Sequence, residues 1–427
     1  MATTISPQVT SREPFPLPWA GTSEPSKTSR SRVDSIDLLR GIVMVIMMLD
    51  HTRDFVHNAA LAFDPLDPTR TNVALFFTRW ITHFCAPTFV FLAGTGAYLQ
   101  FARGKRKSEL SRFLITRGLW LIVLEFTVVR LLCFFSVDLR FLALMQVIWV
   151  IGVSMIVLSA LIHLPLKAIA VFGLAMIAFH NVLDLFPALQ VQGWQGPGTP
   201  VPGIGGKLWM ILHQQGLFPI ASFPSPVVFV LYPLIPWVGV MAAGYAFGAI
   251  MIRDVAERRR LCLRIGLSAT ALFVVVAGLI VMLRPAQPDD GPALFRFLNQ
   301  QKYPASQLFL LMTLGPTIAL LPFAERARGP VGNLLATFGR VPMFYYLLHI
   351  PVIHALALVV SLIRTGSITP WLFGNHPMQP PEQPPGYMWS LGRLYLVFAV
   401  ALVILYFPCR WYASEKARRK DSWLQYI

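Results

Sequence analysis

Read from its N-terminus, the chain alternates long apolar runs with short polar interruptions that are mostly basic. The apolar runs fall at residues 35–56, 75–101, 112–135, 139–162, 167–186, 227–252, 262–284, 305–324, 337–363 and 389–412. A helix of roughly 20 such residues crosses about 30 Å of hydrocarbon. The runs are continuously apolar rather than alternating, which argues against a membrane β-barrel. The pattern therefore predicts an all-α, polytopic integral membrane helical bundle of about ten transmembrane helices.

The interruptions orient this bundle. "KTSRSR" precedes the first run, and "RGKRKSELSR", "RDVAERRRLCLR", "ERARG" and the terminal "EKARRKDS" follow later ones. If the helices alternate in direction, all five fall on one side, while "DPLDPTR", 187–226 and the Pro-rich 364–388 fall on the other. An excess of Lys and Arg marks the cytoplasmic side, so both termini are expected in the cytoplasm. Residues 1–33 are rich in Ser, Thr, Pro and Arg and lack the apolar core of a signal peptide. They read as a disordered cytoplasmic tail, followed by a membrane domain over 34–413 and a basic cytoplasmic tail over 414–427. The first helix then serves as an uncleaved insertion signal. The external segment 187–226 is longer than a connector needs. It carries Trp194 and Trp209, and its "KLWMILHQQGLF" stretch reads as an interfacial or re-entrant piece.

Composition agrees with this class. Of 427 residues, 55% are hydrophobic and only 13% charged, against about 25% charged in a typical soluble domain. The formal net charge of +16 sits in short clusters between spans, so it reads as membrane topology rather than nucleic-acid binding. Cys85, Cys133, Cys262 and Cys409 form no CxxC pair and fall in or beside apolar runs. They read as small buried hydrophobes, and no disulfide framework, zinc site or other metal is expected. "GPGTPVPGIGG" lacks the GK[ST] ending of a phosphate loop, and Gly94 and Gly96 read as helix-packing residues.

Candidate chemistry begins in the first run, "DLLRGIVMVIMMLDHTRDF". Arg40 and His51 lie eleven positions apart, which leaves an angular offset of about 20° after three helical turns and about 16 Å of axial separation. Asp37, Met44, Met47 and Asp54 fall within about 60° of the same line. A membrane arginine costs about 2.5–3.5 kcal/mol on insertion scales, so such a stripe favours a lined cavity over lipid. Arg40 alone could instead snorkel to the headgroups. At comparable depth lie His83, one turn from Arg79, then Glu125 near mid-membrane, and His349 with Tyr345 one turn before it. Four polar side chains (His51, His83, Glu125 and His349) in the middle or outer half predict a polar chamber. Histidine can take a proton from an attacking hydroxyl or amine, a carboxylate can orient it, and arginine suits an anionic phosphate. An anionic donor entering from the cytosol past Arg40, with its reactive end at His51, fits that order. No nucleophile elbow, zincin motif or paired metal carboxylates occur.

The stretches "RVDSIDLLRGIVMVIMMLDH", "APTFVFLAGTGAYL", "YPLIPWVGVMAAGYAFG" and "FGRVPMFYYLLHIPVIH" are similar to bacterial relatives of heparan-alpha-glucosaminide N-acetyltransferase. That group includes YeiB-like proteins of the transmembrane acyltransferase superfamily. The resemblance implies a multi-helix bundle in the bacterial inner membrane. Such a bundle takes acetyl groups from cytosolic acetyl-CoA, a co-substrate, and places them on a glycan or amino-sugar acceptor across the membrane. In the superfamily an Arg and a His recur with ten residues between them, and Arg40 and His51 match that spacing. The lysosomal enzyme's active histidine lies in the loop between its first two motif helices. By spacing from "PTFVFLAG", that position falls at Asn72 or Val73 here. His57 is the loop's one histidine, flanked by His51 and His83.

The expected arrangement is therefore His51 as general base, oriented by Asp50 or Asp54. Arg40, Arg117 and Arg340 would hold donor phosphates, and His83, Glu125, Tyr345 and His349 would line the acceptor side. A second hypothesis is a transporter or flippase for a sugar-linked lipid or small metabolite. "PLIPWVG" and "HIPVIH" interrupt their spans with proline, but no internal repeat accompanies them. A purely structural subunit leaves the intramembrane charges without a reason. The bilayer and the acceptor are the expected partners, and the oligomeric state is open.

Overall fold

A computed structural model describes residues 27–57, 63–135, 137–222, 224–327, 329–373 and 390–419. In chain order its helices are α1 (Lys27–Val56), α2 (Val73–Trp80), α3 (Cys85–Ala102), α4 (Lys107–Leu124), α5 (Arg130–Phe134), α6 (Val147–Leu161), α7 (Leu166–Phe179) and α8 (Ile204–Leu212). There follow α9 (Leu234–Met251), α10 (Val255–Leu283), α11 (Ala293–Leu298), α12 (Gln307–Ala324), α13 (Pro330–Arg340), α14 (Pro342–Thr365) and α15 (Leu391–Arg418). Three short strands, β1 (Phe141–Met145), β2 (Gly216–Pro219) and β3 (Val227–Val230), complete the described elements.

Among the described residues, seven helical stretches are long and apolar enough to cross a membrane. They are Val73–Ala102, Leu166–Leu185, Leu234–Met251, Val255–Leu283, Gln307–Ala324, Pro342–Thr365 and Leu391–Arg418. The other three expected spans fall on α1, which is rich in charge, on α4 with its continuation into α5, and on the shorter α6. Large apolar side chains such as Leu267, Val275, Met282 and Phe407 stand on the outer surface, as lipid-facing positions do.

The fold departs from the expected helices in several places. Residues 141–145 and 227–230 are strands, although the sequence reading placed them inside helical spans. Their strings "FLALM" and "VVFV" are apolar without a distinguishing period, and β-branched valine favours the extended form. β3 lies at the centre of the sheet, parallel to β1 and antiparallel to β2. Backbone groups that a helix would have satisfied internally are thus paired across strands. The expected 337–363 helix is broken at Val341, because Pro342 disfavours a helical conformation in the residue before it. At the ends, α1 begins at Lys27 and α15 runs to Arg418, so parts of both expected tails are helical; residues 1–26 and 420–427 lie outside the described residues.

Local signals explain several helix starts. Asn72 Oδ1 accepts the Leu75 N–H at 2.9 Å, Asp254 Oδ1 accepts those of Ala256 and Glu257 at 3.0 and 3.1 Å, and Ser306 Oγ accepts that of Phe309 at 3.2 Å. Where helices cross, small residues let backbones meet. A Cβ on Gly41 would lie 1.8 Å from the Leu335 carbonyl oxygen, and one on Gly339 would lie 1.7 Å from that of Asp37. This contact locks α1 to α13 at the end of the bundle near Arg40. Arg258 and Glu325 form a two-pronged buried pair, Nε–Oε1 2.7 Å and Nη2–Oε2 2.9 Å. It joins the first turn of α10 to the residue that follows α12 at one end of the molecule.

Candidate active site

Two cavities, of about 270 Å³ and 360 Å³, lie end to end along α1. The first is lined by Arg40 and Met44 of α1, Arg117 of α4, Arg340 at the end of α13, Tyr346 of α14 and Lys416 of α15. No carboxylate is among its described lining residues. Arg40 donates through Nη2 to the Leu92 carbonyl at 3.2 Å, and its Nη1 lies 3.5 Å from Asp37 Oδ1. Gly96 makes room for this guanidinium, since a Cβ there would stand 3.1 Å from Nη2. Four cations around one recess create a field that attracts a polyanion, strengthened by low-dielectric walls. The three arginines expected to act together line this cavity. Lys416 was assigned to the basic tail instead, and the helical continuation of α15 is what brings it there.

The second cavity is lined by Met47, Asp50, His51, Arg53 and Asp54 of α1, Arg79 of α2, and Leu144, Phe229, Leu231, Tyr232, Lys302 and Tyr303. The short sheet and the loop before α12 thus wall this end. One ion network organises it. Arg53 pairs with Asp50 at 2.8 Å and Asp54 at 2.6 Å, while Arg79 Nη1 reaches Asp50 Oδ2 at 2.8 Å. His51 Nδ1 stands 3.6 Å from Asp54 Oδ2. Asp50 is therefore committed to two arginines, and Asp54 is the carboxylate that faces the imidazole. On the opposite wall the Tyr303 ring meets Tyr232 edge-on at 5.2 Å. Burial alone would raise the Tyr303 phenol, but Lys302 and Arg79 outweigh it and hold its pKa below the ordinary tyrosine range.

The remaining expected residues lie behind these walls rather than in them. His349 is fully buried, its ring centroid 5.2 Å from that of His51 and its Nδ1 against the Tyr346 carbonyl. Tyr345 is equally buried and donates to Met48 Sδ at 3.2 Å. His83 is buried with its ring edge-on to Phe309 at 5.3 Å. Glu125 lies in a π-helical turn over Glu125–Val129, where its Oε2 accepts the Trp149 N–H at 3.1 Å. The carboxylate thus caps the start of α6, where backbone donors lack helical partners. His83, Glu125, Tyr345 and His349 were expected to line the acceptor side, and none lines either cavity. Depth along a span says nothing of the face on which a side chain emerges, and that is why depth alone grouped them.

Of the histidines flanking the first loop, His51 alone lines a cavity described here. His57 is buried just past α1; burial and then the neighbouring Arg53 push its pKa down to about 4. Asn72 is taken up in capping α2. The four cysteines are free and buried. Among the described residues, no group of three or more His, Cys, Asp or Glu side chains comes together as a metal site.

Further walls come from Phe89 and Ala93 of α3 and from Ile148 and Ile151 of α6. The model of the family described as heparan-alpha-glucosaminide N-acetyltransferase, catalytic, matches residues 32–278, more than half the chain and all of those elements. The chain belongs to this family. It is thereby placed among membrane acetyltransferases, and the helices long enough to span a bilayer agree with a multi-pass member. No curated protein matches the chain. The family match ends before Lys302, Tyr303, Arg340 and Lys416, so the contribution of these four to the cavities rests on the structure alone.

Proposed function

We propose that this family member is an acyl-CoA-dependent acyltransferase with about ten transmembrane helices and cytoplasmic termini, set in a bacterial inner membrane. It moves an acetyl group from cytosolic donor to a glycan or amino-sugar acceptor at the outer side. The observation that carries this reading is that one face of α1 presents Arg40 to a cationic recess and His51 to a separate chamber. Arg40, Arg117, Arg340 and Lys416 would hold the phosphates of CoA, each as a charge-assisted donor. The thioester would then reach toward His51.

In the outer chamber the imidazole takes the proton of the acceptor amine or hydroxyl as that atom bonds to the thioester carbonyl carbon. The tetrahedral centre collapses with cleavage of the C–S bond, and the proton passes to the departing thiolate. Asp54 offsets the positive charge that develops on His51. Asp50, held by Arg53 and Arg79, fixes the α1 segment on which His51 sits. General-base action of this kind supplies about 10²–10⁴-fold, and positioning by the two chambers supplies the remainder.

The test is purified protein given labelled acetyl-CoA and a panel of amino-sugars and glycans. Transfer of label that His51→Ala abolishes supports the reading. Full activity in that variant removes His51 from its role. Uptake of a sugar-linked lipid into proteoliposomes without any acyl donor would replace acyl transfer by transport.

A further inference from the structure

Acyl transfer at His51 leaves one developing charge without a partner. As the acceptor atom bonds to the thioester carbonyl carbon, the carbonyl oxygen becomes negative, and preorganised donors aimed at such an oxygen are usually the largest single contribution to catalysis. The arginines of the chamber are already committed. Arg53 is held by Asp50 and Asp54, and Arg79 by Asp50 and by Thr82 Oγ1, each at 2.8 Å. Thr82 in turn donates to the Arg79 carbonyl at 2.7 Å. Besides His51, the oxygen- or nitrogen-bearing side chains that line the chamber outside this network are Gln146, Tyr232, Lys302 and Tyr303.

Tyr303 is set apart by its surroundings. Lys302 Nζ lies 5.1 Å from the centroid of its ring, and the charges of Lys302 and Arg79 both act on its phenol. Arg79 is also the guanidinium that holds Asp50, so one side chain ties Tyr303 electrostatically to the α1 turn that carries His51. Lys302 acts on that same carboxylate. Tyr232 is more deeply buried, with its ring against Tyr303 and, at 5.4 Å, against Trp237. The loop that carries Tyr303 is fixed from outside. His180 Nε2 donates to the Ala305 carbonyl at 2.8 Å, the Ser306 N–H to the Gln301 carbonyl at 2.9 Å, and the Gln307 N–H to Asn181 Oδ1 at 3.1 Å. A donor held in this way needs little reorganisation when charge appears beside it.

We infer that the Tyr303 hydroxyl donates a hydrogen bond to the thioester carbonyl oxygen as that oxygen becomes an oxyanion, and that Lys302 strengthens this bond. The inference rests on the acyl-transfer reading above and adds to it a catalytic residue that lies beyond the family match. The phenol keeps its proton throughout. The carbonyl electron pair moves onto oxygen as the acceptor atom bonds to carbon, and it returns to the carbonyl as the C–S bond breaks. The cations that hold the phenol below the ordinary tyrosine range also make its O–H a stronger hydrogen-bond donor.

The experiment measures kcat, KM, CoA affinity and the unfolding midpoint for the purified full chain in detergent, with labelled acetyl-CoA and the acceptor panel. Tyr303→Phe should lower kcat by at least about 10²-fold and leave both KM values, CoA binding and the midpoint unchanged. A merely structural tyrosine would instead move the midpoint or KM. Lys302→Met should lower kcat by a smaller factor, and Lys302→Arg should restore it; this pair keeps the test decisive if Tyr303→Phe does not fold. Wild-type kcat in folded Tyr303→Phe overturns the inference and leaves the acyl-transfer reading standing. So does a kcat loss found in Gln146→Leu and absent from Tyr303→Phe, which moves the donor to the start of α6. If the wild type transfers label to no acceptor, the acyl-transfer reading fails and the inference falls with it.

Discussion

Arg79 holds Asp50 across a helix boundary, with Nη1 2.8 Å from Oδ2, while Asp54 on the next turn of α1 faces His51. The two carboxylates share Arg53 but differ in their second partner. Asp54→Asn should lower kcat by about tenfold or more, since it removes the charge that offsets an imidazolium, and should also lower stability, since it takes one of two carboxylates from the buried Arg53. Asp50→Asn should leave kcat less affected and lower stability by on the order of 3 kcal/mol, because it takes the carboxylate from Arg79 and leaves Arg53 with Asp54 alone. Unfolding midpoints and steady-state kinetics of the two variants separate these outcomes.

The cationic recess makes a graded prediction. Single alanine substitutions at Arg40, Arg117, Arg340 and Lys416 should each weaken CoA binding by about tenfold, the loss expected for a charge-assisted hydrogen bond worth about 1.5 kcal/mol. Binding should also weaken with added salt for the exposed Arg340 more than for the enclosed Arg40. Calorimetric titration with CoA at two ionic strengths measures both effects.

Glu125 provides a contrast between structure and chemistry. Glu125→Ala should cost about 1–2 kcal/mol of stability through the lost cap on α6. Acceptor KM should not change, because the carboxylate does not reach the chamber. A rise in acceptor KM at constant stability would restore the acceptor-side role.

His57 predicts an acid-sensitive contribution to stability. Its pKa is held at about 4, below the ordinary value of 6.5, by burial first and then by Arg53. Between those values the folded protein binds fewer protons at this site than the unfolded chain does. Stability therefore falls as pH drops from about 6.5 toward 4 and is flat in this respect above that window. His57→Gln should lose less stability than wild type over that window, as followed by thermal unfolding in detergent at stepped pH.

Much of this site was legible along the chain, and the reasons differ by element. The α1 stripe could be read because helical period converts spacing into a face, and Arg40, Met44, Met47, His51 and Asp54 all line a cavity. The break before Pro342 carried a readable signal, since a residue before proline avoids the helical conformation. The sheet did not, because four or five apolar residues fit a buried strand and a helix equally. His349 and Glu125 were placed by depth, and only tertiary packing decides that one lies behind His51 and the other caps α6.

The central claim is that an acyl group passes from a donor at the Arg40 end to an acceptor at the His51 end. It is tested most directly in sealed vesicles of uniform orientation, with labelled acetyl-CoA supplied only on the side of the Arg40 recess and an amino-sugar acceptor only on the other. The account predicts labelled acceptor on the far side, and a loss of at least about 10²-fold in His51→Ala with CoA binding intact. Labelled acceptor formed equally by His51→Ala, or formed only when donor and acceptor share one side, would contradict it.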